Sequence, residues 1–186
     1  SFSSTGPTDD GRIKPDIMAN GDDLRSCNNT GDATYTNMSG TSMSSPNATG
    51  SISLLQQLSR KNYGRWMRSA TVKALVIHTA DEAGPGEGPD YTYGWGLMNT
   101  YKASKLLTDS TSQNPILEKG LTNKDTFTLQ VYSDGTKPLM ATLVWNDLPG
   151  VVSAPQLNNP ALKLTNDLDL RFFDSLGTEY LPYVLN

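Results

Sequence analysis

Gly40-Thr41-Ser42-Met43-Ser44-Ser45-Pro46 sets one serine on a sharp turn that leads into a helix. Glycine has no Cβ, so Gly40 can take backbone angles closed to other residues and lets a second backbone come close. Pro46 suits the first turn of a helix, where its missing N–H costs nothing. Ser42 is thereby predicted at the positive end of that helix, where the first N–H groups lack internal partners and carry partial positive charge. A peptide N–H there can face an oxyanion. The same string also reads as a polar loop with an N-cap, because Ser, Thr and Pro favour helix starts. The surrounding chain has to decide.

Upstream stand Ser1-Phe2-Ser3-Ser4-Thr5-Gly6-Pro7 and Asp10-Gly11-Arg12-Ile13-Lys14-Pro15-Asp16-Ile17-Met18-Ala19-Asn20-Gly21. With the serine turn, these segments resemble the subtilisin-like serine proteases. Their last third carries Phe-Ser-Ser-x-Gly, Lys-Pro-Asp-(apolar)-x-Ala-Pro-Gly and Gly-Thr-Ser-Met-(small)-Ser-Pro in that order. The resemblance implies that Ser42 is the nucleophile and a backbone oxyanion donor, that Thr41 helps the oxyanion site, and that Met43 is the oxidisable thioether beside it. Three positions depart from the family pattern. Asn20 stands where Pro is usual, Ser39 where Asn precedes the Gly, and Asn47 where a His follows the Pro.

A serine hydroxyl needs a base to take its proton and a carboxylate to orient that base, and in this family the chain order is Asp, His, Ser. No histidine precedes Ser42. The single one, His78, follows it in Val76-Ile77-His78-Thr79-Ala80, at the end of a helical stretch. It is expected to be a helix-end residue near the last carbonyls, where a partly charged imidazole is favoured; the alternative is a direct catalytic role. The upstream Asn that completes the family's oxyanion hole is also absent. Loss of that donor costs about 10²–10³ in rate, a figure known from a member of this same family. The chain is therefore expected to be one part of a larger protease, cut through a domain, and inactive by itself.

Composition narrows the classes further. With 36% apolar residues and no long apolar run, the sequence indicates soluble globular material without a membrane span. A net charge of −4 and the lack of a basic cluster argue against a nucleic-acid partner. A single cysteine, Cys27, excludes an internal disulfide. Glycosylation-type triplets occur at Asn28, Asn37 and Asn47. The third lies on a predicted helix whose Ala48, Ile52 and Leu55 share one face, so chance triplets are the preferred reading.

Organisation follows from periodicity. Residues 15–18 and 34–36 read as short strands, and 46–60 as the helix behind the serine, with Gly50 expected to permit close packing on a sheet. Residues 71–80 are apolar on most sides, as for a helix buried between layers. Tyr93-Gly94-Trp95-Gly96-Leu97-Met98-Asn99 resembles the family's closing turn before a final helix through Leu107. Three parts are thus expected: the C-terminal part of a subtilisin-like α/β catalytic domain with a parallel sheet over 1–108, a linker over 109–115, and a β-sandwich over 116–186.

In that last part Phe127, Leu129 and Val131 alternate with polar residues, while residues 140–145 and 168–173 read as strands. The segments around Asn146-Asp147 and Asn166-Asp167 resemble the jelly-roll module appended to some bacterial subtilases, either whole or truncated at Asn186. Asp147, Asp167 and Asp169 allow two readings, a structural calcium site or a solvated face with turn-capping Asx residues. No cofactor is expected for the chemistry. The functional expectation is a serine endopeptidase acting on peptide or protein substrates, secreted or extracellular by resemblance, with its partner the upstream part of the catalytic domain. The competing class is a non-catalytic binding or surface module on a subtilase scaffold.

Overall fold

A computed structural model describes residues 2–109, 114–152, 154–159 and 161–184. Strands β1 (Leu24–Cys27) and β2 (Tyr35–Met38) form an antiparallel hairpin in the register Leu24↔Met38 to Cys27↔Tyr35. Three helices follow: α1 (Thr41–Tyr63), α2 (Ser69–His78) and α3 (Thr100–Thr108). A short antiparallel pair, β3 (Phe172–Phe173) with β4 (Glu179–Tyr180), lies near the C-terminal end.

Helix α1 starts five residues earlier than the Pro46 signal suggests. Gly40 is its N-cap, and Gly64 closes it in the left-handed conformation, donating its N–H to Arg60 C=O. Pro46 therefore sits inside the helix and not at its start. Burial along α1 follows helical spacing: Ala48 and Ile52 are half-buried, and Leu55 and Ser59 are buried. Leu55 joins Met67, Leu75, Val76, Ala103 and Leu107 in a core where the three helices meet. Three consecutive buried residues, Leu75, Val76 and Ile77, confirm that α2 is enclosed on most sides. Gly50 differs from expectation. A Cβ there would meet nothing within 4 Å, so this glycine faces open space.

The expected parallel sheet is represented among the described residues by one parallel bridge, Met18 with Leu97. Met18 N–H donates to Gly96 C=O at 2.9 Å and Met98 N–H returns to Met18 C=O at 2.8 Å. On its other side Leu97 exchanges two 2.8 Å bonds with Asp81. A strand is defined by its neighbours, and the segment at 15–18 has one neighbour and a single bridge.

Beyond residue 115 the predicted alternation does not become a sandwich among the described residues; only β3 and β4 pair. The segment expected as a strand over 140–145 lies along α2 instead. Thr142 contacts His78 at the end of that helix and Asn146 donates to Ser69 at its start. The lengths match, since four extended residues span about 13 Å and nine helical residues about 13.5 Å. Phe127, Leu129 and Val131 are exposed. The chain leaves 14,091 Å² accessible, where a compact monomer of this mass would leave roughly 8,800 Å².

Glu118 fastens the C-terminal half to the helices. Its carboxylate accepts from Thr71 Oγ1 and pairs with Arg65 at 3.0 Å and Arg68 at 3.5 Å. The Thr71 hydrogen bond, aided by the two guanidiniums, outweighs the opposing effect of burial and holds the carboxyl below its usual range. The expected linker over 109–115 falls largely on residues 110–113, outside the described residues.

Candidate active site

Two chain segments meet at the serine turn. Gly40 N–H donates to Gly21 C=O at 2.7 Å, so the close approach expected of Gly40 is made with Gly21. Ser44 Oγ donates to Ala19 C=O at 2.8 Å. Ser39 Oγ accepts from Asp23 N–H at 2.9 Å and donates to Asp22 Oδ1 at 2.6 Å, while Asn37 Nδ2 donates to Asp23 Oδ1 at 2.7 Å. The stretch from Ala19 to Asp23 is thereby laced to the stretch from Asn37 to Ser44. Sequence reasoning missed this lacing. Its only trace was that Ser39 and Asn20 depart from the family pattern, and both departures serve the same Asp22-Asp23 pair: Asn20 Oδ1 accepts from Asp22 N–H at 3.1 Å.

Gly40 takes φ 151°, which only glycine adopts readily, and supplies no side-chain cap to α1. Its C=O accepts from Met43 N–H at 3.0 Å and Ser44 N–H at 3.2 Å. Those are the first internal bonds of the helix, so the N–H groups of Thr41 and Ser42 stand ahead of them, where an incoming anion finds donors and the positive end of the helix dipole. Ser42 and Thr41 are both exposed, and Met43 is half-buried. An exposed hydroxyl at the second residue of a helix, beside N–H groups not used by that helix, is an arrangement for attacking a carbonyl and holding the resulting oxyanion.

His78 is the last residue of α2, as expected, but its surroundings are not those of a charged cap. Its Nδ1 lies 3.0 Å from Thr142 Oγ1, and burial pushes its pKa down. The desolvated ring is favoured neutral. Because the native pKa is lowered, the unfolded chain binds the proton more readily, so acid favours unfolding. Thermal stability is expected to hold steady above about pH 6.5 and to fall as pH drops below it, ahead of the carboxylate range. A pH series of melting temperatures checks this, with His78→Gln flattening the profile between pH 5 and 7.

Asp147 has its carboxylate filled by nitrogen donors: Thr165 N–H at 2.8 Å, Asn166 N–H at 3.0 Å, Asn166 Nδ2 at 2.7 Å and Leu148 N–H at 2.9 Å. These bonds, the Asn166 backbone first, outweigh desolvation and keep the group ionised below its usual range. Donors aimed at the oxygens leave no lone pairs for a cation. Asp169 lies 3.5 Å from the Arg171 guanidinium. Among the described residues no group of three or more His, Cys, Asp or Glu side chains is placed to hold a metal ion, and Asp147 caps the turn at Thr165 and Asn166, as in the second reading. Asn47, the third glycosylation-type asparagine, is exposed on α1.

The model of the subtilase family matches residues 1–96. The serine protease/ABC transporter B family protein tagA of Dictyostelium discoideum is 28% identical over 98% of this chain and 12% of its own length. The C5a peptidase of Streptococcus pyogenes serotype M6 is 33% identical over 74% of this chain and 12% of its own length. Among solved structures, the CspB protease of Clostridium perfringens aligns with a TM-score of 0.49 and 26% identity, over 54% of this chain and 22% of that one. The chain spans about an eighth of the length of these curated relatives.

Proposed function

The chain belongs to the subtilase family, and from that premise we propose that it is the nucleophile-bearing part of a serine endopeptidase that cleaves peptide bonds through an acyl-enzyme on Ser42. The observation that carries the reading is the exposed Ser42 at the second position of α1, with the Thr41 and Ser42 N–H groups ahead of the first internal bond. Ser42 Oγ attacks the peptide carbonyl carbon. Its proton passes to a histidine supplied from outside this chain, oriented by an aspartate likewise outside, and is returned to the leaving amine. The Ser42 N–H, with Thr41 beside it, faces the oxyanion, and water then releases the acyl group. His78 is not given this role, because its Nδ1 meets the Thr142 hydroxyl and not an orienting carboxylate.

In this reading the Met18–Leu97 bridge is the edge of the family's parallel sheet, completed by strands from the remainder of the catalytic domain. The enzyme works outside the cell on peptide or protein substrates. No helix among the described residues is long and apolar enough to cross a membrane.

The isolated chain is expected to show no turnover of a chromogenic peptide, because base and carboxylate are both lacking. The polypeptide that also carries the upstream Asp and His segments is expected to turn it over. Ser42-dependent hydrolysis by the isolated chain would overturn the division of the site. Inactivity of the longer polypeptide would favour a binding module on a subtilase scaffold.

A further inference from the structure

Asn20-Gly21 is the one Asn-Gly pair in the sequence. Asn20 is exposed. The bond from Asp22 N–H to its Oδ1 at 3.1 Å folds the carboxamide back over the Gly21 peptide and draws electron density from the side-chain carbonyl. Gly21 is buried, but it carries no side chain beside its nitrogen, and among the described residues its N–H donates to no acceptor. A polarised amide carbonyl on an exposed side chain therefore neighbours an uncommitted backbone nitrogen one residue on.

We propose that Asn20 is a site of spontaneous covalent modification, closing on the Gly21 nitrogen to a succinimide that water opens to aspartate or isoaspartate, and that the isoaspartate form loosens the turn carrying Ser42. In the first step the Gly21 nitrogen bonds to Cγ of Asn20, the Cγ–Nδ2 bond breaks, and ammonia leaves with the proton taken from Gly21. In the second, water adds to one of the two ring carbonyls. Opening at Cγ gives aspartate. Opening at the main-chain carbonyl gives isoaspartate, whose backbone runs through Cγ. No oxidant or enzyme is required.

The extra backbone carbon would enter between two anchored points. Ala19 C=O accepts from Ser44 Oγ at 2.8 Å and Gly21 C=O accepts from Gly40 N–H at 2.7 Å. There is no slack between them, since even a Cβ on Gly21 would come within 2.8 Å of Gly40 O and 2.9 Å of Ser44 Cβ. One of the two bonds has to give. Other positions are poorer candidates. The two Asp-Gly pairs, at Asp10 and Asp134, hold ionised carboxylates bonded by Arg12 and Thr136, and a carboxylate is a poor electrophile. Asn37 has its Nδ2 on Asp23 and a bulky Met38 following it.

The modification itself stands apart from the catalytic reading; only its bearing on Ser42 rests on that reading. The test is incubation of the chain at mildly alkaline pH, followed by peptide mass mapping and labelling with a protein isoaspartyl methyltransferase. Asn20 is expected to convert several-fold faster than any other asparagine and to carry most of the label, which Asn20→Gln removes. Hydrogen exchange on the separated isoaspartate form should show lost protection over residues 40–46, while Asn20→Asp, which adds the charge without the extra carbon, keeps it. Conversion spread evenly over the asparagines would overturn the site. Unchanged protection in the isoaspartate form, or equal loss in Asn20→Asp, would overturn its effect on the turn.

Discussion

Ser42→Ala, made in a polypeptide that carries this chain with the upstream catalytic segments, is expected to lower kcat about 10⁶-fold, a magnitude known from the nucleophile of another subtilase. The size reflects how the residues act as one unit: without the hydroxyl, base and carboxylate have no proton to move. A residual acceleration of about 10³–10⁴ over water should remain, because the oxyanion donors and substrate binding survive. The backbone N–H of residue 42 is untouched by the substitution. Ser42 is exposed, so stability should change by no more than about 0.5 kcal/mol. Equal melting temperatures with lost turnover would place the residue in the chemistry. Retained turnover would sink the assignment.

Gly94→Ala should cost far more in stability. Gly94 lies at φ 63°, where an L side chain is strained, and an added Cβ would fall 2.1 Å from Pro15 O and 2.8 Å from Asp16 O. Both obstacles are backbone atoms, in the segment where Asp16 C=O accepts from Trp95 N–H at 3.1 Å. Relieving the clash means moving the Lys14-Pro15-Asp16 run away from the closing turn. Asp16 opposes that movement. Burial disfavours its charge, yet hydrogen bonds from Lys14 and Lys73 prevail and keep it ionised and fixed. Overpacking of about 1–3 kcal/mol adds to about 1–2 kcal/mol of left-handed strain. A loss of roughly 2–5 kcal/mol by urea unfolding is the expected result. Gly86→Ala is the control, since a Cβ there meets nothing within 4 Å, and it should be neutral. Equal effects of the two substitutions would refute the argument.

The helices could be read from the sequence because their signals are local. The Ala48, Ile52 and Leu55 spacing fixed the buried face of α1, and the apolar run at 75–77 fixed the enclosure of α2. Pro46 reads as a helix opener, but α1 begins at Thr41, because Gly40 caps the helix through its backbone, without a side-chain signature. The strands were less legible. Alternation at 126–131 says which residues would share a face, but a ladder needs partners, and residues 142 and 146 spend their side chains on α2. The serine turn was legible as a motif. Its lacing through Ser39, Ser44 and the Asp22-Asp23 pair was not, because it joins residues up to 25 positions apart.

The large accessible surface also sets how sharply the fold responds to its solvent. An unfolded chain of this mass exposes about 29,000 Å², so folding to 14,091 Å² hides roughly three-quarters of what a compact protein of equal mass would hide. Denaturant slope and heat-capacity increment both scale with hidden area. The chain therefore melts over a broader span of urea or temperature than its length implies, and any partner that covers its exposed apolar side chains sharpens the transition as well as raising it.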